Sequence, residues 1–281
     1  MKRGLLSLNL SRQTWSGIGG AVPPILYITL LFLLPVLIFL GGAFDDTPRH
    51  LVRSVSDPLY QRVLIDTLML GLYVTGICFI LGYPLAYALS IMPPRWALVG
   101  FAFLLLPFWT SLLVRTYAWM VLLGRNGIIN NLLMSLGLID APVSFLNNMS
   151  GVLIGMVHVL LPYMVFPLFD VMKRVDGSLL SAAEGLGAPG WKIFLRVYLP
   201  LTLPGILAGS VLVFVLSIGF YITPALLGGG RVATMALMIE RQVREFLDWD
   251  FAAALSLVLL ICTLLVSIGL GRLLRGKEIH G

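Results

Sequence analysis

The chain has 281 residues, of which 59% are hydrophobic and 11% are charged, and its formal net charge at pH 7 is +6. Soluble domains carry about a quarter charged residues, so this composition excludes an ordinary soluble protein and indicates an integral membrane protein. Cys78 and Cys262 lie inside apolar runs, where we expect small buried side chains rather than a disulfide or a metal pair. The basic charge balance is explained by anchoring at the inner leaflet, so no nucleic-acid partner is expected.

Six charge-poor runs are long enough to cross a bilayer, for which a helix needs about 20 mostly apolar residues. The first run starts only at residue 22 and is long enough to span, so we predict an uncleaved helix rather than a signal peptide. The sequence therefore predicts an all-α integral membrane protein with six transmembrane helices. These predicted spans cover residues 22–44, 67–92, 96–123, 149–172, 203–227 and 251–274.

Lysine and arginine positions predict the orientation of the spans. With the N-terminus inside, the inner segments hold eleven basic residues and the outer segments hold seven, together with most of the acidic residues. We therefore predict that both termini are cytoplasmic, as short tails over residues 1–21 and 272–281. The loop 173–202 is predicted to lie on the same side.

The third span contains the most polar intramembrane cluster, from Pro107 to Trp119, with Arg115 at its centre. An arginine at this depth must face protein, water or the interface. Two interpretations stay open, a functional residue or a side chain paired with a carbonyl or an outer-loop acid. The following segment, 124–148, has apolar residues at helical spacing and a terminating Gly137, which predicts a short helix in the outer interface.

The fourth and fifth spans carry two features that resemble sites. His158 lies alone among apolar residues without a nearby carboxylate or cysteine, so we predict a structural role. The glycine run 228–230 lacks the strand and the GK[ST] sequence of a phosphate loop, so we predict a flexible loop. The acidic segment 231–250 is either a solvated helical face or a docking surface for a soluble partner.

The inner loop departs most from the apolar character of the chain. Asp176 is placed to cap a short helix, which Gly185 or Gly187 would end in a left-handed conformation. Pro189 would lie in the first turn of a second short helix. That helix is predicted to have two faces, an apolar one with Trp191, Phe194, Leu195 and Tyr198 and a basic one with Lys192 and Arg196. These residues fit either an interfacial re-entry element or a peg that fits a groove on a cytoplasmic partner.

The same loop resembles the EAA signature of ABC importer permeases, in which EAA, three residues, Gly, nine residues and Ile-x-Leu-Pro follow one another. Ser181, Ala182 and Ala183 occupy the EAA positions, Gly187 the glycine, and residues 197–200 read Val-Tyr-Leu-Pro. Ser181 replaces the glutamate of the signature, and Glu184 follows one helical turn later. The resemblance implies that seven residues contact the ATPase, namely Ser181, Ala182, Ala183, Glu184, Gly187, Leu199 and Pro200.

The resemblance covers residues 62–271 and implies the type I (MetI-like) permease fold, preceded over residues 22–61 by a further span and an outer segment. The strings at 112–130 and 219–230 are similar to those of PotB/PotH-type spermidine/putrescine permeases. The resemblance implies a bacterial inner-membrane location, a homologous second permease, a cytoplasmic ATPase dimer and an extracytoplasmic binding protein. ATP and Mg²⁺ would be bound by the ATPase, since this chain has no Walker motif, and neither cofactor nor enzymatic activity is expected here.

A path for a cationic substrate is expected to use aromatic faces and carboxylates. The candidates in this chain are Arg115, Tyr117, Trp119, Phe220 and Tyr221. Two alternatives compete with the importer interpretation. A secondary transporter requires intramembrane carboxylates or paired broken helices, and an intramembrane enzyme requires a Ser/His, paired-Asp or metal-spaced set at span depth. The sequence shows neither arrangement clearly.

Overall fold

The computed structural model of the chain describes residues 4–44 and 49–275, with side chains for 23–44 and 49–272. Within these ranges every regular element is helical. The helices are α1 (Gly4–Gly41), α2 (Arg49–Ser56), α3 (Pro58–Ile91), α4 (Pro94–Leu105), α5 (Leu112–Leu123), α6 (Ile128–Ser135), α7 (Met149–Lys173), α8 (Gly177–Gly185), α9 (Gly190–Ile193), α10 (Leu199–Ile218), α11 (Ile222–Leu227), α12 (Met235–Arg241) and α13 (Trp249–Arg275).

Five described helical segments are long and apolar enough to cross a membrane, and a sharply bent pair makes a sixth if it is counted as one span. This agrees with the predicted all-α architecture of six spans. The five segments are Pro23–Phe44, Pro58–Ile91, Met149–Lys173, Gly190–Ile218 and Trp249–Arg272. Residues 4–21, predicted as a tail, belong to α1, while residues 1–3 and 276–281 of the predicted tails lie outside the described residues.

The segment predicted as the third span, residues 96–123, is sharply bent in the structure. Segments Pro94–Trp109 and Leu112–Ser135 meet at an angle of 100°. Pro107 lies in a short 3₁₀ turn after α4, and Thr110 and Ser111 then adopt extended backbone with ψ of 144° and 141°. Proline removes a helical hydrogen bond and disfavours helical backbone before it, so the chain turns here instead of continuing the helix.

The fifth span also differs from its predicted bounds of 203–227. Its helix already begins at Gly190, passes through a π turn at Phe194–Tyr198 and ends at Ile218. The second helix of the inner loop is therefore the first part of this span and not a separate short helix. Pro200 is accommodated because the π turn shifts the hydrogen bonding, with the Leu199 amide donating to the Phe194 carbonyl.

The main core lies where α3, α7 and α10 pack together. Small residues allow this close approach. A methyl group on Gly205 of α10 would lie 2.9 Å from the Pro167 carbonyl oxygen, and one on Gly209 would lie 2.8 Å from the Met164 sulfur. The two helix backbones are therefore in direct contact along this face.

A second cluster joins the segment after α1 to α3, α12 and α13. Phe251 is fully buried there, and its ring stacks edge-on with that of Tyr60 at 5.1 Å between centroids. The Thr67 hydroxyl donates to the Val63 carbonyl and accepts from the Met235 amide, at 2.6 and 2.9 Å. The membrane-spanning part of α1 is exposed from Pro23 to Ile38 and contacts the rest of the chain near its end, where Phe39 packs against Trp249.

The connection between α5 and α7 is fixed by one buried amide. Asn130 of α6 donates to the Gly124 and Val143 carbonyls, both at 3.0 Å, and accepts from the Val143 amide at 2.9 Å. Gly137 follows α6 with a φ of +68°, as the sequence predicted for the end of this helix. The short helix between spans three and four is thus confirmed at Ile128–Ser135.

Candidate functional site

The inner loop forms the predicted helix, α8, and both of its ends are capped by local contacts. The Asp176 carboxylate accepts from the Ser178 amide at 2.9 Å, which satisfies one free donor of the first turn. At the other end the Gly187 amide donates to the Glu184 carbonyl and the Ala188 amide to the Ala183 carbonyl, at 2.8 and 3.2 Å. This Schellman arrangement requires left-handed backbone, and Gly187 has a φ of +78°.

One side of α8 is anchored and the other is open. Leu180 packs against the main core and Ala183 is half-buried. Ser181, Ala182 and Glu184 are exposed. In the turn that follows, the Leu186 side chain is 90% exposed. The open side of α8 and the turn after it therefore present Ser181, Ala182, Glu184 and Leu186.

The second half of the EAA-like motif lies on a different helix from the first. Leu199 and Pro200 begin α10, where Leu199 packs against the main core and Pro200 is exposed. The structure therefore places Ser181, Ala182, Ala183 and Glu184 on α8 and Leu199 and Pro200 at the start of α10, within the fifth span.

The predicted two-faced character of the segment after Pro189 is only partly present. Tyr198 is buried, whereas Trp191 and Leu195 are 63% and 51% exposed. The Lys192 ammonium lies 5.5 Å from the centre of the Trp191 ring, so a predicted basic-face residue covers a predicted apolar-face residue. Long lysine side chains reach across a helix surface in this way, which sequence spacing alone does not reveal.

Charged groups at the inner end of α7 pair within one helical turn. Arg174 donates to both oxygens of the Asp170 carboxylate, at 2.9 and 2.8 Å. The Lys173 ammonium donates to the Ser90 carbonyl near the end of α3 at 3.2 Å. The hydrogen bond from Ser178 lowers the pKa of the Asp176 carboxyl below its usual value.

Arg115 occupies the break in the third span. Its guanidinium donates to the Thr110 carbonyl at 3.0 Å, to the Thr110 hydroxyl at 3.4 Å and to the Pro107 carbonyl. Of the two interpretations left open by the sequence, pairing with carbonyls is therefore the one observed. The Pro107 carbonyl also accepts from the Thr110 amide and hydroxyl, at 3.2 and 2.8 Å, so the guanidinium adds to the local contacts at the break.

Arg115 and Phe220 line one pocket of about 290 Å³. Phe108, Thr110 and Tyr163 also line it. The rings of Phe108 and Tyr163 are 5.3 Å apart. No carboxylate lines this pocket in the described part of the chain. Phe108 and Tyr163 were not among the predicted residues, and only the neighbouring Pro107 marked this region in the sequence.

The other three predicted path residues lie elsewhere. Tyr117 and Tyr221 are 55% and 40% exposed and do not line the pocket. The Trp119 indole donates to the Nδ1 atom of His158 at 3.1 Å. This contact between α5 and α7 gives His158 the structural role that the sequence predicted.

Most of the chain is similar to known proteins. Residues 13–276 match the family described as "Binding-protein-dependent transport system inner membrane component". The spermidine/putrescine transport system permease protein PotB of Escherichia coli is 37% identical over 246 residues, which cover 84% of this chain and 89% of PotB. The inner membrane ABC transporter permease protein YdcU of Escherichia coli is 31% identical over 278 residues, covering 92% of this chain and 86% of YdcU.

A solved structure shares the fold. It is a bacterial alginate ABC transporter in complex with an alginate pentasaccharide-bound periplasmic protein, and one of its chains superimposes with a TM-score of 0.70. The match covers 95% of this chain and 96% of that chain at 18% sequence identity. The arrangement of helices is thus that of an ABC importer permease.

Proposed function

Because the chain belongs to the family of binding-protein-dependent transport system inner membrane components, we propose that it is the permease subunit of an ATP-driven polyamine importer. Its multiple apolar helices cross the bacterial inner membrane. The chain would carry spermidine, putrescine or a similar small amine, and ATP hydrolysis would take place in a separate subunit. We propose four kinds of partner, namely a homologous second permease, a cytoplasmic ATPase dimer, an extracytoplasmic binding protein and the lipid bilayer.

The geometry of α8 is the observation that supports a contact with the ATPase. The helix is capped at both ends, anchored by Leu180 and open on the side that presents Ser181 and Glu184. In the part of the chain that the structure describes, neither of these two side chains makes a hydrogen bond or an ion pair. Both remain available to a partner, and the exposed Leu186 supplies an apolar anchor beside them. We propose that Glu184 makes the polar contact that the signature assigns to the glutamate at the Ser181 position.

The substrate class is supported by the identity with PotB over most of both chains. The pocket beside Arg115 offers aromatic faces from Phe108, Tyr163 and Phe220, which attract ammonium groups. Since no acid lines it, the carboxylates that neutralise a polyamine would come from the second permease. Tyr117 and Tyr221 are exposed in this chain and are proposed to line the substrate path opposite the second permease. Trp119 is proposed to support the path wall through its hydrogen bond to His158.

Transport would proceed by alternating access. ATP-driven closure of the ATPases would displace α8, and the displacement would reach the spans and open the path to one side at a time. The break at Thr110 and Ser111 puts Arg115 and the pocket at the middle of a discontinuous span, the position at which transporters build substrate sites.

Uptake of labelled spermidine into proteoliposomes tests the proposal. The permease pair is reconstituted with its ATPase, and the binding protein and ATP are supplied on opposite sides. We expect uptake to require both, and unlabelled putrescine to compete. Uptake that needs an ion gradient and proceeds without ATP would instead establish a secondary transporter.

Two sets of variants separate the substrate path from the ATPase contact. Phe220→Ala is expected to reduce uptake while the ATPase still co-purifies, because it removes an aromatic face of the pocket. Gly187→Asp is expected to prevent co-purification while membrane insertion is retained. Tyr221→Ala and Trp119→Ala test the remaining path residues, and unchanged uptake in both would remove them from the path.

A further inference from the structure

Four aromatic side chains join the inner loop to α3. Tyr83 packs edge-on against Phe194, with 6.0 Å between ring centroids, and Tyr87 packs in the same way against Tyr198 at 5.4 Å. Phe194 and Tyr198 in turn stack with each other at 6.1 Å. The rings therefore alternate between α3 and the segment that follows α8. We call these four residues the aromatic joint.

A hydrogen bond extends the joint into α10. The Tyr83 and Thr202 hydroxyl oxygens are 3.0 Å apart, and the Thr202 hydroxyl donates to the Leu199 carbonyl at 2.9 Å. Because that proton is already used, Tyr83 is the donor and Thr202 the acceptor. Tyr83, Tyr198 and Thr202 are all buried, so the contact is shielded from water.

The joint coincides with the π turn. Phe194 and Tyr198 are the first and last residues of that turn, which connects α9 to α10. A π turn adds one residue to a helical turn and so rotates the side chains after it. Residues four positions apart lie on one helix face, so the rings of Phe194 and Tyr198 both reach α3.

The position of α8 relates these contacts to the proposed ATPase contact. Within the described residues α8 packs mainly on the segment Gly190–Tyr198, and its tie to the main core runs through Leu180. The Lys173 ammonium also donates to the Ser90 carbonyl near the end of α3, and α10 packs directly on α3. The aromatic joint adds ring contacts between α3 and the segment on which α8 packs, so we expect a displacement of α8 to reach α3 through these rings as well as through α10.

We infer that Tyr83 and Tyr198 are positioning residues that make α3 and α10 follow α8 as one unit during transport. This inference rests on the proposed function, because it concerns how movement of the ATPase contact reaches the spans. Neither residue is required for ATP hydrolysis, which takes place in another subunit. Weakening the joint should leave hydrolysis intact and lower the number of substrate molecules imported per ATP.

Three variants in the reconstituted complex test the inference. Tyr83→Phe keeps the ring and removes the hydrogen bond, and Thr202 keeps its own donor paired with Leu199. Tyr198→Leu removes a ring from the joint. Tyr73→Leu is the matched control, because Tyr73 lies on α3, is 53% exposed and has no ring contact among the described residues. Uptake, ATP hydrolysis and co-purification of the ATPase are measured for each.

We expect Tyr83→Phe to lower the ratio of uptake to hydrolysis about fivefold, the factor for one hydrogen bond of about 1 kcal/mol. Tyr198→Leu should lower the ratio further, and Tyr73→Leu should keep the wild-type ratio. A wild-type ratio in Tyr198→Leu, or a proportional fall of uptake, hydrolysis and co-purification together, would overturn the inference. Wild-type complex that imports nothing would instead refute the proposed function, so the two failures are distinguishable.

Discussion

The left-handed turn after α8 gives the sharpest test of the ATPase contact. A methyl group on Gly187 would meet no atom within 4 Å, so Gly187→Ala introduces no clash within the chain. Its whole effect comes from the φ of +78°, where a residue with a side chain costs about 1–2 kcal/mol. The turn that places Leu186 beside α8 should therefore be populated less. If the ATPase binds only this turn, its affinity should fall about 5- to 30-fold.

Gly185→Ala is the matched control. Gly185 is two residues away, also exposed, also without any atom within 4 Å of an added methyl group, and it has right-handed helical backbone. Alanine there improves helix propensity by about 1 kcal/mol, so binding should stay equal or become tighter. Gly187→Asn should recover much of the loss, because asparagine tolerates the left-handed region.

The assay is titration of the purified permease pair in nanodiscs with the labelled ATPase subunit. Wild-type affinity in Gly187→Ala would show that the turn geometry is irrelevant to docking. Equal weakening by Gly185→Ala and Gly187→Ala would show that the added methyl group itself, and not the backbone conformation, disturbs the contact. Either result refutes the reasoning.

Three further predictions concern other parts of the chain. Asn130→Ala should cost about 1–3 kcal/mol of stability, since the Val143 amide loses its acceptor and the Gly124 and Val143 carbonyls each lose one of two donors, whereas exposed Asn131→Ala should change the thermal midpoint in detergent little. Arg115→Lys should reduce uptake, because a single ammonium cannot keep both the Nη2 contacts to two carbonyls and the Nε contact to the Thr110 hydroxyl, while exposed Arg125→Lys should not. The lowered pKa of Asp176 means that its cap contributes stability above the usual aspartate pKa and loses it as the pH falls through the lower folded value. ATPase affinity should fall over that acid range in the wild type but not in Asp176→Asn, whose amide oxygen still accepts.

Features that depend on neighbouring residues could be predicted from the sequence. The number of apolar segments follows from composition and length, and the Asp176 cap and the Gly187 stop each involve residues within five positions of each other. Such contacts form whenever the local backbone forms, so their residue types can be read in order. The presence of α6 and its end at Gly137 was predicted for the same reason.

Packing between distant segments controls where helices break and which side chains meet. Pro107 marks a weak point in the third span, and at the 100° bend Arg115 bonds to the Pro107 and Thr110 carbonyls. Continuity from Gly190 to Ile218 depends on a π turn whose rings pack on α3. Tyr83 and Thr202 are 119 positions apart in the chain. Contacts of this kind form because packing of distant helices favours them over local alternatives, so the order of residues alone does not specify them.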